Sequence, residues 1–265
     1  MGNLVRLLAR RNAVLVAASS LVLAGFELLI CALVTALDLD AILQQVVTAA
    51  PPFFSAMIGE QFAGLSVAGI VAFGWNHPVA LALGAAVAIV LGARAVAGEI
   101  DQGAAELVMT QPFGRGRYLA AHVLFGAFAL ALVSAAGVAG TAAGSRVFDL
   151  DIFTPRDLVA VAFAFWLLQL AWFGIALAVS ARGREGGPVA IAVFFVALVA
   201  YLIAAIGSVW DPAARFLPLS LYHYYEPREI LVEQVLSAVT VAVLAIVAAA
   251  GIALGAVLFS RRDVP

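Results

Sequence analysis

The chain has 265 residues, 65% of them hydrophobic and 11% charged, with a mean hydropathy of +1.11 and a formal net charge of −2. Soluble domains average roughly 45–50% apolar and 25% charged residues, so this composition excludes a soluble enzyme or a nucleic-acid-binding module and places the chain in a membrane. All 14 basic residues are arginine, and a Walker A loop needs a lysine on the nucleotide phosphates, so a self-contained P-loop ATPase is excluded as well.

A bilayer core requires about 20 mostly apolar residues per helix. Six stretches qualify, over residues 13–37, 78–98, 118–143, 157–181, 188–209 and 236–259. The alanine- and leucine-rich runs lack the alternating pattern of a transmembrane barrel. The expectation is therefore an all-α membrane protein, one transmembrane domain over 1–265 with six helices.

Arg6, Arg10 and Arg11 precede the first run. At about 25 residues that run exceeds the 7–15 of a signal-peptide core, so it reads as a retained helix. It holds Cys31, the single cysteine and a small buried hydrophobe by expectation, and Glu27, the one carboxylate inside a predicted span. An intramembrane acid is by default a functional candidate, so Glu27 is a candidate for a substrate path; its structural alternative is a carboxyl paired across a helix interface.

Residues 38–77 follow, with Pro51-Pro52 ahead of an apolar stretch at 53–75 that carries Glu60 and Gln61 near its middle. A crossing here would emerge without an arginine, so the expectation is an outer-face helix dipping into the interface.

Between the second and third spans the charge bunches, in GARAVAGEIDQGAAELVMTQPFGRGR over 92–117. On a helical wheel Glu99 and Glu106 share a face with Gly103 beside them, next to a stripe of Ile100, Ala104, Leu107 and Val108. Glu99 and Asp101 suit the positive end of a helix starting there. Pro112 disfavours helix at Gln111, and Arg115 and Arg117 lie in the turn beyond. This is the pattern of a short amphipathic helix, facing either anionic lipid or, given its three acidic side chains, a protein partner.

Later features are packing signals. Gly140-x-x-x-Gly144 and Gly251-x-x-x-Gly255 allow close helix approach in a bundle or a dimer, and Gln169 reads as an interhelical hydrogen-bonding group. Residues 182–187 form a second small loop on the inner side. The segment 210–235, broken by Pro212, Pro218 and Pro227 and carrying Trp210, Tyr222, Tyr224 and Tyr225, reads as short helices with tyrosines at headgroup depth or as a gate.

Arginine sets the orientation. With both termini cytoplasmic, ten arginines lie inside (6, 10, 11, 94, 115, 117, 182, 184, 261 and 262) and four outside (146, 156, 215 and 228). His77, His122 and His223 show no metal-binding spacing and no G-x-S-x-G elbow occurs, so neither a metal site nor a catalytic residue is expected.

The run Glu99-x-x-x-Gly103-x-x-Glu106-Leu107, then Pro112 and Arg115, resembles the first-cytoplasmic-loop signature of ABC transporter permeases of the type-2 (ABC-2) exporter family. It departs at Ala104 and Gly114, where the family usually has Thr and Ser. The resemblance implies a permease subunit in a bacterial cytoplasmic (inner) membrane, working as a homodimer or with a paralogous permease above two copies of a separate ABC ATPase subunit. In that scheme the helix between spans 2 and 3 is a coupling helix, and Glu99, Gly103, Glu106, Pro112 and Arg115, which match the family positions, face the ATPase, with Asp101 and Arg117 added on charge. ATP and magnesium would be held by the partner and no cofactor by this chain. Membrane lipid is a further partner, an extracytoplasmic one would meet 38–77 or 210–235, and no nucleic-acid partner is expected. Two other readings stay open: a proton-coupled secondary transporter using Glu27, and a non-transporting membrane scaffold of an assembly complex.

Overall fold

Among the described residues six helices are long and apolar enough to cross a membrane, and they pack against one another in a bundle. The computed structural model describes residues 2–36, 66–101, 103, 114–150 and 152–262, and no strand occurs among them. Span 1 is α1 (Gly2–Ala36). Span 2 runs Val67–Asp101 and is built from α2 (Val67–Asn76), α3 (Pro78–Ala93), a π-helical turn (Arg94–Gly98) and the short α4 (Glu99–Asp101). Spans 3, 4 and 5 are α5 (Arg115–Val147), α6 (Pro155–Ser180) and α7 (Gly186–Gly207). After α8 (Asp211–Ala214), two 3-10 turns and α9 (Pro227–Leu231), span 6 is α10 (Ala238–Ser260).

Local chemistry sets the helix ends. Thr154 and Asp157 form a capping box at α6, with the Thr154 amide donating to Asp157 Oδ2 at 2.9 Å and Pro155 in the first turn. Ser237 caps α10 by accepting from the Val239 amide. Between α2 and α3, His77 has extended backbone and its Nδ1 accepts from the Val79 amide at 3.2 Å. Pro78 behind it supplies no amide, so the ladder is interrupted there.

Span 2 and α6 form the interior, with 67% and 56% of their apolar windows buried, whereas α7 and α10 turn most of their surface outward, at 22% each. Small residues set the closest approaches. Gly140 of α5 lies against the Ala24 backbone of α1, leaving no room for a β-carbon, and Gly144 packs on Cys31. Gly251 of α10 lies so close to Gly174 of α6 that a β-carbon would fall 2.5 Å from its carbonyl carbon. Both glycine repeats are thus consumed by seams within this chain.

Three sequence expectations need correction. Residues 67–75 do not form an interfacial helix: α2 is part of span 2, with Val71 and Trp75 fully buried against neighbouring helices; residues 53–65 lie outside the described residues. Among the tyrosines of 210–235, Tyr222 and Tyr225 are buried in the bundle, Tyr225 donating to the Trp75 carbonyl at 3.5 Å, and Trp210 alone of the named aromatics is strongly exposed. Gln169 does not bond across helices. Its amide fills the space over Gly84, with no hydrogen-bond partner among the described residues.

Candidate functional site

One end of the bundle gathers the start of α1, the end of span 2, the starts of α5 and α7, and the ends of α6 and α10. It is held by polar contacts between residues far apart in sequence. Arg11 Nη1 and Glu99 Oε1 form an ion pair at 2.7 Å, tying α1 to the end of span 2. Glu99 lies at a helix C-terminus, the negative end of the macrodipole, so a carboxylate there needs the cation that Arg11 supplies. Next to it on α1, Asn12 accepts from Arg94 Nη1 at 3.2 Å while its own Nδ2 donates to the Leu8 carbonyl at 2.9 Å.

The π-helical turn is satisfied from outside its own helix. A π-turn shifts the hydrogen-bond register and displaces backbone groups from the regular ladder. Ser180, in the last turn of α6, answers them: its hydroxyl donates to the Ala93 carbonyl at 2.7 Å and accepts from the Ala97 and Val96 amides at 2.9 and 3.3 Å. Tyr118 adds a bond from its hydroxyl to the Ala95 carbonyl at 3.0 Å. Gly98 meets Gly186 backbone to backbone, and beside them Ala93 and Ala97 of span 2 pack on Val189 of α7.

The C-terminal arginines close the same end. Arg262 donates to the Ala181 and Gly183 carbonyls at 3.0 and 2.7 Å, neutralising the C-terminus of α6. Burial, and then Arg184 nearby, push its pKa down from the ordinary arginine value. Arg115 in turn donates to the Ser260 and Arg262 carbonyls.

The described residues among those singled out from the sequence differ in their surroundings. Glu99 is buried and turned into the bundle, Asp101 is exposed, and Gly103 has a positive φ of 66° with open space around it. A glycine in that conformation ends a helix, so Glu99 and Asp101 close span 2 instead of opening a new helix. Arg115 is bound to its own chain's C-terminal segment, and Arg117 is exposed. Glu106 and Pro112 lie outside the described residues. Glu27 lies elsewhere, fully buried toward the opposite half of the bundle, its carboxylate beside Gly74.

The chain matches, over residues 8–264, the family described as ABC-2 family transporter protein. It belongs to the ABC-2 transporter family. No curated protein matches it. As an ABC-2 family member with six apolar helices, it is a multi-pass membrane protein of a transporter, and permeases of this family generally work with an ATPase subunit.

Within this ABC-2 chain, sequence reasoning missed Asn12 and Ser180 as site-forming residues and used Arg94 and Arg262 only to count charge. Their partners lie 79–87 residues away, a separation at which no periodicity or spacing rule speaks. The available signal was compositional: Asn12 is a polar residue immediately ahead of the apolar run at 13–37, and Ser180 is the polar last residue of the apolar α6.

Proposed function

We propose that the chain is the permease subunit of an ATP-binding cassette exporter, receiving the stroke of a separate ATPase subunit and moving an amphipathic substrate outward. The family match over 8–264 carries this reading. Two copies, or one copy with a paralogue, would sit above two ATPases that hold ATP and magnesium; this chain, having no lysine, contributes no P-loop. Both termini and the 92–117 loop would be cytoplasmic in a bacterial inner membrane, in keeping with the arginine bias.

The ion pair at the base of span 2 supports a division of labour in the loop. Exposed Asp101 and Arg117, with Glu106 and Pro112 between them, would meet the ATPase, whereas Glu99 would pass that contact to α1 through Arg11. The test is co-purification and ATP-driven transport with the cognate ATPase. Glu106→Arg with Arg117→Glu should dissociate or uncouple the complex while leaving the permease folded. Unchanged ATPase binding and transport in that variant would refute the assignment.

A further inference from the structure

Beside the Arg11–Glu99 pair lies a cleft of about 260 Å³, lined among the described residues by Leu8, Arg11, Asn12, Leu91, Arg94, Glu99, His122 and Phe125. Its walls come from α1, span 2 and α5. Among these described residues two guanidinium groups stand against one carboxylate. Glu99 is engaged by Arg11. Arg94 is exposed and, among the described residues, its side chain makes a single hydrogen bond, to Asn12, which leaves it further N–H donors at the cleft.

The inner wall keeps hydrogen-bonding capacity too. His122 is buried at 6% exposure; its Nδ1 lies 3.2 Å from the Tyr118 carbonyl, so that nitrogen carries the proton, and Nε2 is left as an acceptor with no partner among the described residues. Leu8, Leu91 and Phe125 supply the apolar remainder. The combination suits a group with one negative charge for the guanidinium, a hydroxyl donor for His122 Nε2 and an apolar stem. The volume lies just below the roughly 300–1,000 Å³ of drug-sized pockets, which fits a headgroup rather than a whole amphiphile.

We infer that this cleft binds a singly charged phosphodiester that carries a hydroxyl group, with Arg94 on the phosphoryl oxygens, Asn12 beside it and His122 Nε2 accepting from the hydroxyl. Arginine is suited to this through its planar array of donors. The same chemistry is offered by the headgroup of an anionic phospholipid and by a soluble glycerophosphodiester.

The full chain in nanodiscs, without ATPase, separates these sources and keeps the outcome independent of the exporter reading. Native mass spectrometry would compare retained phosphatidylglycerol with phosphatidylcholine, and a parallel titration would use soluble glycerophosphoglycerol. The expected result is selective retention of phosphatidylglycerol that falls at least fivefold in Arg94→Gln and is unaltered in Arg117→Gln, which removes an equal charge at the same end. Saturable binding of the soluble diester, abolished by Arg94→Gln, would also support the site and assign it to the soluble source. His122→Phe, neutral and similar in size, should weaken retention without altering net charge. Equal losses in Arg94→Gln and Arg117→Gln, or no preference between the two lipids together with no binding of the soluble diester, would overturn the inference.

Discussion

Ser180 shows how one hydroxyl can decide the geometry of a distant segment. It serves a carbonyl and two amides of the π-turn at once, and without it those groups would face an apolar helix surface. Leaving a buried backbone group unpaired costs about 1–3 kcal/mol. Ser180→Ala should therefore lower stability by about that amount, read as the thermal midpoint in detergent, whereas an exposed serine such as Ser260 should tolerate alanine. An unaltered midpoint in Ser180→Ala would show that the turn finds its bonds elsewhere.

At the scale of elements, the seams and the ties behave differently. The α1–α5 seam depends on Gly140 meeting the Ala24 backbone. Gly140→Leu should cost about 3 kcal/mol, the upper end of overpacking penalties, visible as loss of a monodisperse protein in detergent. The Arg11–Glu99 tie is electrostatic and half exposed on its arginine side. Arg11→Glu and Glu99→Arg should each impair ATP-driven transport, and the double exchange should recover much of it, with a coupling energy of about 0.5–3 kcal/mol. Additive losses would mean that the pair transmits nothing.

Much of this element level was legible in the sequence. The six helices were, because lipid forces each crossing segment to be continuous and apolar. Their ends shifted by capping chemistry, as where Thr154 and Pro155 open α6 two residues before the expected 157. The glycine repeats marked close seams but did not say which partner they serve, since Gly174 and Ala24 carry no signal of their own. Glu99 was picked out as important for its charge, yet its direction depended on a π-turn that wheel geometry with a 3.6-residue period cannot represent.

For the whole molecule, the two ends carry opposite chemistry. One is stitched by arginines onto helix C-termini. The other holds Glu226, Glu229 and Glu233 around α9. Burial first, and then Glu229 and Glu233, raise the Glu226 pKa above its ordinary 4.5, with His223 opposing. A carboxyl with a raised folded-state pKa contributes stability that is complete below the ordinary value and is lost as pH rises through the raised one. The thermal midpoint should fall from mildly acidic toward neutral pH, and Glu226→Gln should flatten that slope. A slope identical in the variant would place its origin in other groups.

Span 2 is interrupted twice, at His77-Pro78 and at the Arg94–Gly98 turn, and between the breaks runs a regular rod of 16 residues, about 24 Å long at the usual helical rise. A rod with a joint at each end transmits a push differently from a continuous shaft: it can tilt without bending. Displacement applied beyond Gly103 would then reach Trp75 as a swing of α3 about its two ends, leaving the glycine seams on either side intact.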